Sequence, residues 1–373
     1  MTRSSLTVWA LLLSVLGITG CQRTSTFVGA VACQGLGRPA ESSLPNAWTF
    51  RGLDAGTPPR IRPGSYPSAT YGVRFIGPDG LGSHQYWLDG AEGNGILYTC
   101  GGGHIDLAHA RKAADWTGFL AAVTLEHLHT GRTTFTFKLR EPSRYVVELT
   151  YPAGWDSLPA DERQRVARDV SRQLGQYLAY TATTWHEMLT WFGFKPASWK
   201  SEFQSAFSWE DSYSNLLGTR VAAAALQDQE HGFSDAVTLA LRRQLELLGV
   251  QPAAVARQAS QTVRGDWYSK RWFFTVIHKR NLDIGLEDGR GTPCLVRSLP
   301  ACEGAQACPL AVPTLDGLSQ YGFSATVLIE PRVWEANRIF KALYGDCRPG
   351  TRRLDPSVHF ALLIRHMEQA GSY

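Results

Sequence analysis

The chain has 373 residues, 44% of them hydrophobic, and a formal net charge of +4. That length supports one large domain or two smaller ones. The slight positive surplus, with no dense Lys/Arg cluster anywhere, gives no footing for a nucleic-acid partner.

The first residues read MTRSSLTVWALLLSVLGITGC. Arg3 supplies a positive start, an apolar run follows from Leu6 to Leu16, and Thr19-Gly20 makes a small-residue exit. This is the pattern of a secretory signal, with an apolar run too short for a comfortable membrane span. Ile18-Thr19-Gly20-Cys21 resembles the lipobox of bacterial lipoproteins. The resemblance implies that Cys21 is diacylated and becomes the mature N-terminus, so that the membrane is a partner through Cys21. Two or three acyl chains hold firmly where one does not. Residue 22 is Gln, not the Asp that retains enteric lipoproteins at the inner membrane, so the resemblance implies an outer-membrane anchor facing the periplasm. Loss of residues 1 to 20 removes one Arg and no acid, which takes +4 to +3. No later stretch is long and apolar enough to span a bilayer.

Residues 22 to 70 are rich in Gly, Pro, Ser and Thr and read as a tether leading into irregular structure. From Tyr71 to Cys100, short apolar runs alternate with glycine turns, the pattern of strands. TTFTFKLREPSRYVVELTY, residues 133 to 151, alternates like a hairpin turning at Glu141-Pro142-Ser143. Helices are expected from near residue 104, from Pro159 to Gly193, from Ser208, from Ser234 to Gly249, and over PSVHFALLIRHMEQ. RWFFTVIHKR, CLVRSLP and SATVLIEP look strand-like. The expected organisation is a signal over 1–20, a lipidated tether and irregular segment over 21–70, and one α+β domain over 71–373 with its helical core at about 104–250. Its central helices pack together, flanked by antiparallel strands and hairpins and stapled by disulfides. After Cys21, six cysteines remain: Cys33, Cys100, Cys294, Cys302, Cys308 and Cys347. An even number in an oxidising compartment points to disulfides, with the pairing open.

Three helices carry the polar residues of interest. In GGGHIDLAHARKAAD, Asp106 and His109 share a face with Ala113, Thr117 and Leu120, so two ionisable groups begin what reads as a core stripe. Arg111 and Asp115, four residues apart on the opposite side, read as an exposed ion pair. In the second helix, His186 shares its face with Gly175, Ala179 and Ala182, small residues that let another helix come close. The His186-Glu187 pair starts an H-E-x-x-H pattern, but position 190 is Thr and the second histidine is missing. In the third, Ser208 and Asp211 form a capping box. Glu210 instead projects onto the apolar stripe of Leu217 and Val221, where Asn215 and Arg220 lie within reach to orient it.

Two accounts of these residues stay open. In one, His109, His186 and Glu210 hold a divalent metal, zinc first, while Glu187, with Asp106 beside it, acts as base on a metal-bound water. Arg111, Asp115, Asp211 and Asn215 then support the ligands. The chemistry would be hydrolysis of an envelope peptide, glycan or lipid. In the other, the same groups form a buried polar network in a non-catalytic binding or scaffolding protein.

NGILYTCGGGHIDLAHARKAADWT, WHEMLTWFG and SAFSWEDSYSNLLGTRVA, in that order between residues 94 and 223, resemble the signature blocks of a bacterial family known only as a domain of unknown function. Many of its members look like envelope lipoproteins. The resemblance draws attention to Asp106, His109, Arg111, Asp115, His186, Glu187, Glu210, Asp211, Ser214 and Asn215, and implies no activity. The family carries a bulky apolar residue at the position of His104, which argues against His104 as a ligand.

Other signatures are absent or bland. There is no G-x-S-x-G elbow. Gly101-Gly102-Gly103 reads as a hinge from strand to helix more readily than as an anion cradle. Trp185, Trp191, Trp199 and Trp209 read as core before they read as a ligand groove.

Overall fold

The computed structural model describes residues 48–62, 68–70, 72–87, 91–139, 141–194, 203, 205–271, 274–345 and 352–370. Cys21, Cys33 and Cys347, with the signal and the start of the tether, lie outside them. The described chain begins as irregular backbone and then forms strands β1 (Ile96–Thr99) and β2 (Gly103–Asp106). Helix α1 (Leu107–His129), strands β3 (Thr134–Phe137) and β4 (Arg144–Thr150) and the long helix α2 (Ala160–Trp191) follow. Next come α3 (Asp211–Ala225), α4 (Phe233–Leu247) and α5 (Ala253–Thr262). The remainder is β5 (Tyr268–Arg271), β6 (Phe274–Ile277), β7 (Arg290–Gly291), β8 (Leu310–Ala311), β9 (Ser324–Glu330), α6 (Ala336–Tyr344) and α7 (Pro356–Gln369). This is the α+β architecture that the sequence predicts.

The centre is α1, packed between α2 and α3. Glycine sets both close approaches. A Cβ on Gly175 of α2 would stand 2.6 Å from the Ala121 nitrogen, and one on Gly218 of α3 would stand 2.0 Å from the Ala110 carbonyl oxygen. Any side chain at either position would push the helices apart. The small face read on the second helix is therefore the seam it presents to α1. Around this core lie antiparallel pairings: β1 with β2, the three-stranded sheet β3-β4-β9, β5 with β6, and β7 with β8. The β3–β4 hairpin opposes Phe137 to Tyr145 across Glu141-Pro142-Ser143, as its alternation predicts. Trp185 and Trp209, at 0% and 1% exposure, are core residues. No helix among the described residues is long and apolar enough to cross a membrane.

Four expectations change. The triple glycine turns a β-hairpin, pairing Thr99 with Gly103, and the helix opens only at Leu107. Gly103 needs its positive φ of 68° there, and a Cβ on it would lie 2.3 Å from the Cys294 carbonyl oxygen. The CLVRSLP run forms no strand. Among the described cysteines, Cys100 pairs with Cys302, and Cys308 is disulfide-bonded as well, but Cys294 is a free thiol. The Gly- and Pro-rich stretch before residue 70 is irregular yet not all tether, because Phe50, Leu53, Arg62 and Ala69 are buried in the body of the protein.

Candidate active site

The N-terminal ends of α1 and α3 and the C-terminal end of α2 meet, and each contributes acid. Asp106 caps α1, with its Oδ1 accepting from the Ala108 nitrogen at 2.8 Å and the His109 nitrogen at 3.4 Å. Its own nitrogen donates to Ser214 Oγ of α3 at 3.0 Å, which locks the two helix starts together. Three residues along α1, His109 places Nδ1 3.1 Å from Asp106 Oδ2 and 3.3 Å from Asp211 Oδ1, in ion-pair reach of both but aligned for a hydrogen bond with neither. The His109 side chain is 15% exposed, so the cluster has a path to solvent.

Asp211 Oδ2 accepts from the Ser208 nitrogen at 3.0 Å and from Ser208 Oγ at 2.7 Å. The acid half of the capping box forms; the serine hydroxyl turns to the carboxylate. Glu187 Oε2 accepts from the Phe207 nitrogen at 3.0 Å. Glu210 Oε1 accepts from Ser68 Oγ and, at 3.0 Å, from the Ala69 nitrogen, while its Oε2 is buried and makes no hydrogen bond. Asn215 is buried one turn along α3, with an Oδ1 that makes none either.

Four carboxylates thus share one buried region with a single imidazole, since Asp106, Glu187, Glu210 and Asp211 are each at most 5% exposed. One guanidinium, Arg280, interacts with Asp211 and Glu187 through its charge, while its hydrogen bonds go to the backbone carbonyls of Ala206 and, at 3.1 Å, Phe203, and it stacks over Trp191 at 4.9 Å. Burial pushes the Glu210 carboxyl up to about 7, with the Asp106 charge adding to it and the Ser68 hydrogen bond opposing. Burial, then the charges of Glu187, Glu210 and Asp106, push Asp211 well above the usual carboxylate range. Like charges confined in a poorly solvated space relieve themselves by keeping protons.

Backbone strain marks the same place. Ser68, at φ 73°, and Phe207, at φ 53°, are the two non-glycine residues among those described with left-handed backbone. Each bonds a carboxylate of the cluster. Conformations of this kind cost about 1–3 kcal/mol apiece and gather at functional sites. Neither residue carried a sequence signal: Ser68 stands in the Pro/Gly-rich stretch, and Phe207 reads as an ordinary apolar residue. Arg280 was missed for a similar reason, 69 residues from Asp211 in a strand-like run.

Other expected site residues lie elsewhere. His186 does not join His109 and Glu210: its Nδ1 is 3.7 Å from Glu141 Oε2, and its ring meets Phe194 edge-on. Among the described residues, no three His, Cys, Asp or Glu side chains are arranged to hold a metal ion. His104 is buried, accepts from Trp209 Nε1 at 3.3 Å, and is held by burial at about 3, hence neutral. The Cys294 thiol is pushed up to about 11 by burial, with Glu210 adding to the rise.

Arg111 and Asp115 are not an exposed pair. Both are 1% exposed, and they belong to a second buried network. Arg111 donates to the Gly93 carbonyl at 2.9 Å, Asn94 Oδ1 at 2.9 Å and the Leu81 carbonyl at 2.6 Å. Asp115 pairs with Arg62 and with His84 Nε2, the latter at 2.8 Å. Glu92 takes Arg60 and, at 2.8 Å, Arg62. Burial opposes charge on Glu92, but Arg62 outweighs it and holds the carboxyl down to about 2.

Fold and site together define an α+β protein built on three close-packed helices whose ends enclose an acid-rich, partly strained centre. Residues 79–287 match the family described as a protein of unknown function (DUF4056), and the chain belongs to that family. The match takes in all three helices and every member of the acidic cluster except Ser68. No curated protein and no solved structure matches the chain.

Proposed function

We propose that the protein is a hydrolase of the bacterial envelope, anchored to the outer membrane through acylated Cys21, whose acidic cluster performs proton transfer. The supporting observation is the junction itself, where four buried carboxylates face one accessible imidazole and both left-handed non-glycine residues are bonded to them. Perturbed acids in a strained, enclosed setting are the usual mark of a site built for chemistry. His109 is the reactive group that solvent reaches: Asp106 and Asp211 lie within ion-pair reach on its Nδ1 side, which leaves the other ring nitrogen for a water or substrate proton. Asp211 and Glu210, whose carboxyls burial raises above the usual range, supply the acid, and Glu187 fixes the Phe207 backbone on which the α3 entry turns. The substrate class is an envelope peptide, glycan or lipid.

The surplus of buried negative charge and the idle Glu210 Oε2 favour a second reading, in which a divalent cation settles among Asp106, Glu187, Glu210 and Asp211 after small side-chain movements. This ligand set is rich in oxygen and favours a harder ion than zinc. Purification of the full-length protein from membranes without chelator, followed by elemental analysis, tests the two readings together. Hydrolysis of peptidoglycan, peptide or acyl-ester probes that disappears in His109→Gln, with no stoichiometric metal, supports the acid–base site. Stoichiometric metal lost on Glu210→Gln supports the cation. A folded protein with neither metal nor turnover leaves a structural network. For the anchor, Cys21→Ser shifts the protein from the membrane to the soluble fraction; unchanged membrane retention would refute it.

A further inference from the structure

Apart from the acidic junction, the molecule has a concave site that shares none of its residues. A cavity of about 360 Å³ is walled by three separate segments: Pro142 of the β3–β4 turn, Gly193 and Phe194 after α2, and Arg332, Val333, Trp334 and Glu335 after β9 with Arg338 in the first turn of α6. Arg332 and Trp334 lie beyond residue 287, outside the family match. The volume lies in the range of small-ligand pockets and admits one ring with one acidic group.

Its chemistry is specific. Trp334 is 97% exposed, the most exposed of the large apolar side chains described. An indole held in water carries a cost that a ligand would remove. Arg332 and Arg338 flank it, with side chains 51% and 65% exposed. Each has only a shared or a distant carboxylate partner. Arg332 is 3.4 Å from Glu330, a carboxylate also taken by Arg144 at 2.7 Å and Arg353 at 3.0 Å. Arg338 stands 4.0 Å from Glu335. Four guanidiniums therefore face two carboxylates, and the excess is available to an anion. Glu335, only 7% exposed, leaves an acceptor in the wall.

We propose that this cavity binds an acidic sugar unit, one carrying a carboxylate or a phosphate. The C–H face of the ring lies on Trp334, Arg332 and Arg338 clasp the acid, and Glu335 accepts from a hydroxyl. A flat aromatic anion would use the indole and the arginines but would leave Glu335 opposed to an apolar edge. A sugar satisfies all three and keeps its outer hydroxyls in water.

The test is calorimetric titration of the full-length protein, in a detergent without a sugar headgroup, against glucuronate, glucose 6-phosphate, glucose and inorganic phosphate. At least one acidic sugar is expected to bind about tenfold or more tighter than both glucose and phosphate, a gap of about 1.4 kcal/mol. Which of the two binds assigns the acid. Trp334→Ala and Arg338→Gln each weaken that binding about tenfold, while Arg365→Gln, on exposed α7 surface, leaves it unchanged. Trp334 and Arg338 are exposed enough for these variants to fold. Absence of binding by both acidic sugars, equal binding by phosphate alone, or binding that survives both variants overturns the proposal.

Discussion

Helix α1 carries a buried charged cluster on each of two sides, and the two are built on opposite rules. Around Asp115, three arginines meet two carboxylates and a histidine, and the cations outnumber the acids. Around Asp106, four carboxylates meet one histidine. The first arrangement pairs its acids with cations, as in Glu92 held to about 2 by Arg62, and leaves the surplus on Arg111, which burial lowers to about 10. It fastens the irregular segment bearing Arg60, Arg62, His84 and Glu92 onto the helix. The second leaves charge unsatisfied, with Glu210 at about 7. On the proposed function, that difference separates a clasp from a site built for proton transfer.

Removal of an acid sharpens that contrast. Glu92→Gln strands buried arginines, and stability should fall by about 3–5 kcal/mol in chemical denaturation at neutral pH. A loss below about 1 kcal/mol would mean that the arginine network contributes little.

Glu210→Gln should do the reverse. The ordinary value is 4.5 and the folded one about 7, so the native state holds the proton more tightly than the unfolded chain. Stability linked to this group is complete below 4.5 and is lost as pH rises through 7. The amide mimics the protonated acid, so the variant should match the wild type at pH 4 and exceed it above pH 7 by up to about 3 kcal/mol. Glu92 works in the other sense: its stability is present above 4.5 and fades as pH falls toward about 2. Denaturation across pH reads both slopes, and equal pH dependence in wild type and Glu210→Gln would break the comparison.

Arg111→Lys tests geometry within the clasp. Lysine keeps the charge but cannot reach the Gly93, Asn94 and Leu81 oxygens in one plane, and a loss of about 2 kcal/mol is expected. The smallest effect belongs to Ser68→Gly. Relief of the left-handed strain and loss of the hydroxyl bond to Glu210 should cancel to within about 1 kcal/mol. Because that bond opposes the rise at Glu210, the carboxyl should titrate still higher, as infrared carboxyl spectra against pH would register.

Much of the acidic junction was legible in the sequence because its members sit at helix ends. Caps, glycine stops and apolar stripes locate α1, α2 and α3 and group Asp106, His109, His186, Glu187 and Glu210, with Asp211 read only as the cap of α3. Neighbours on a helix stand about 100° apart, so His186 and Glu187 could not both face the same centre. The helix turns Glu187 to the junction and His186 to Glu141. The clasp was not legible. Asp115 finds Arg62 at a distance of 53 residues, in a segment with no periodicity to project onto a wheel. For that reason a pair four residues apart on α1 looked like simple surface charge. Cys294 likewise shared its composition with the bonded cysteines and differed only in what stood near it.

The Cys100–Cys302 bond, which joins positions 202 apart in sequence, makes a closed covalent ring of more than half the chain. The ring contains all three helices of the junction. A protease that cuts once anywhere within it frees neither fragment: both pieces stay tethered through sulfur, and the nick shows only on a reducing gel. In a compartment that exposes proteins to clipping, the closed loop turns a single cleavage from loss of a part into a change of connectivity.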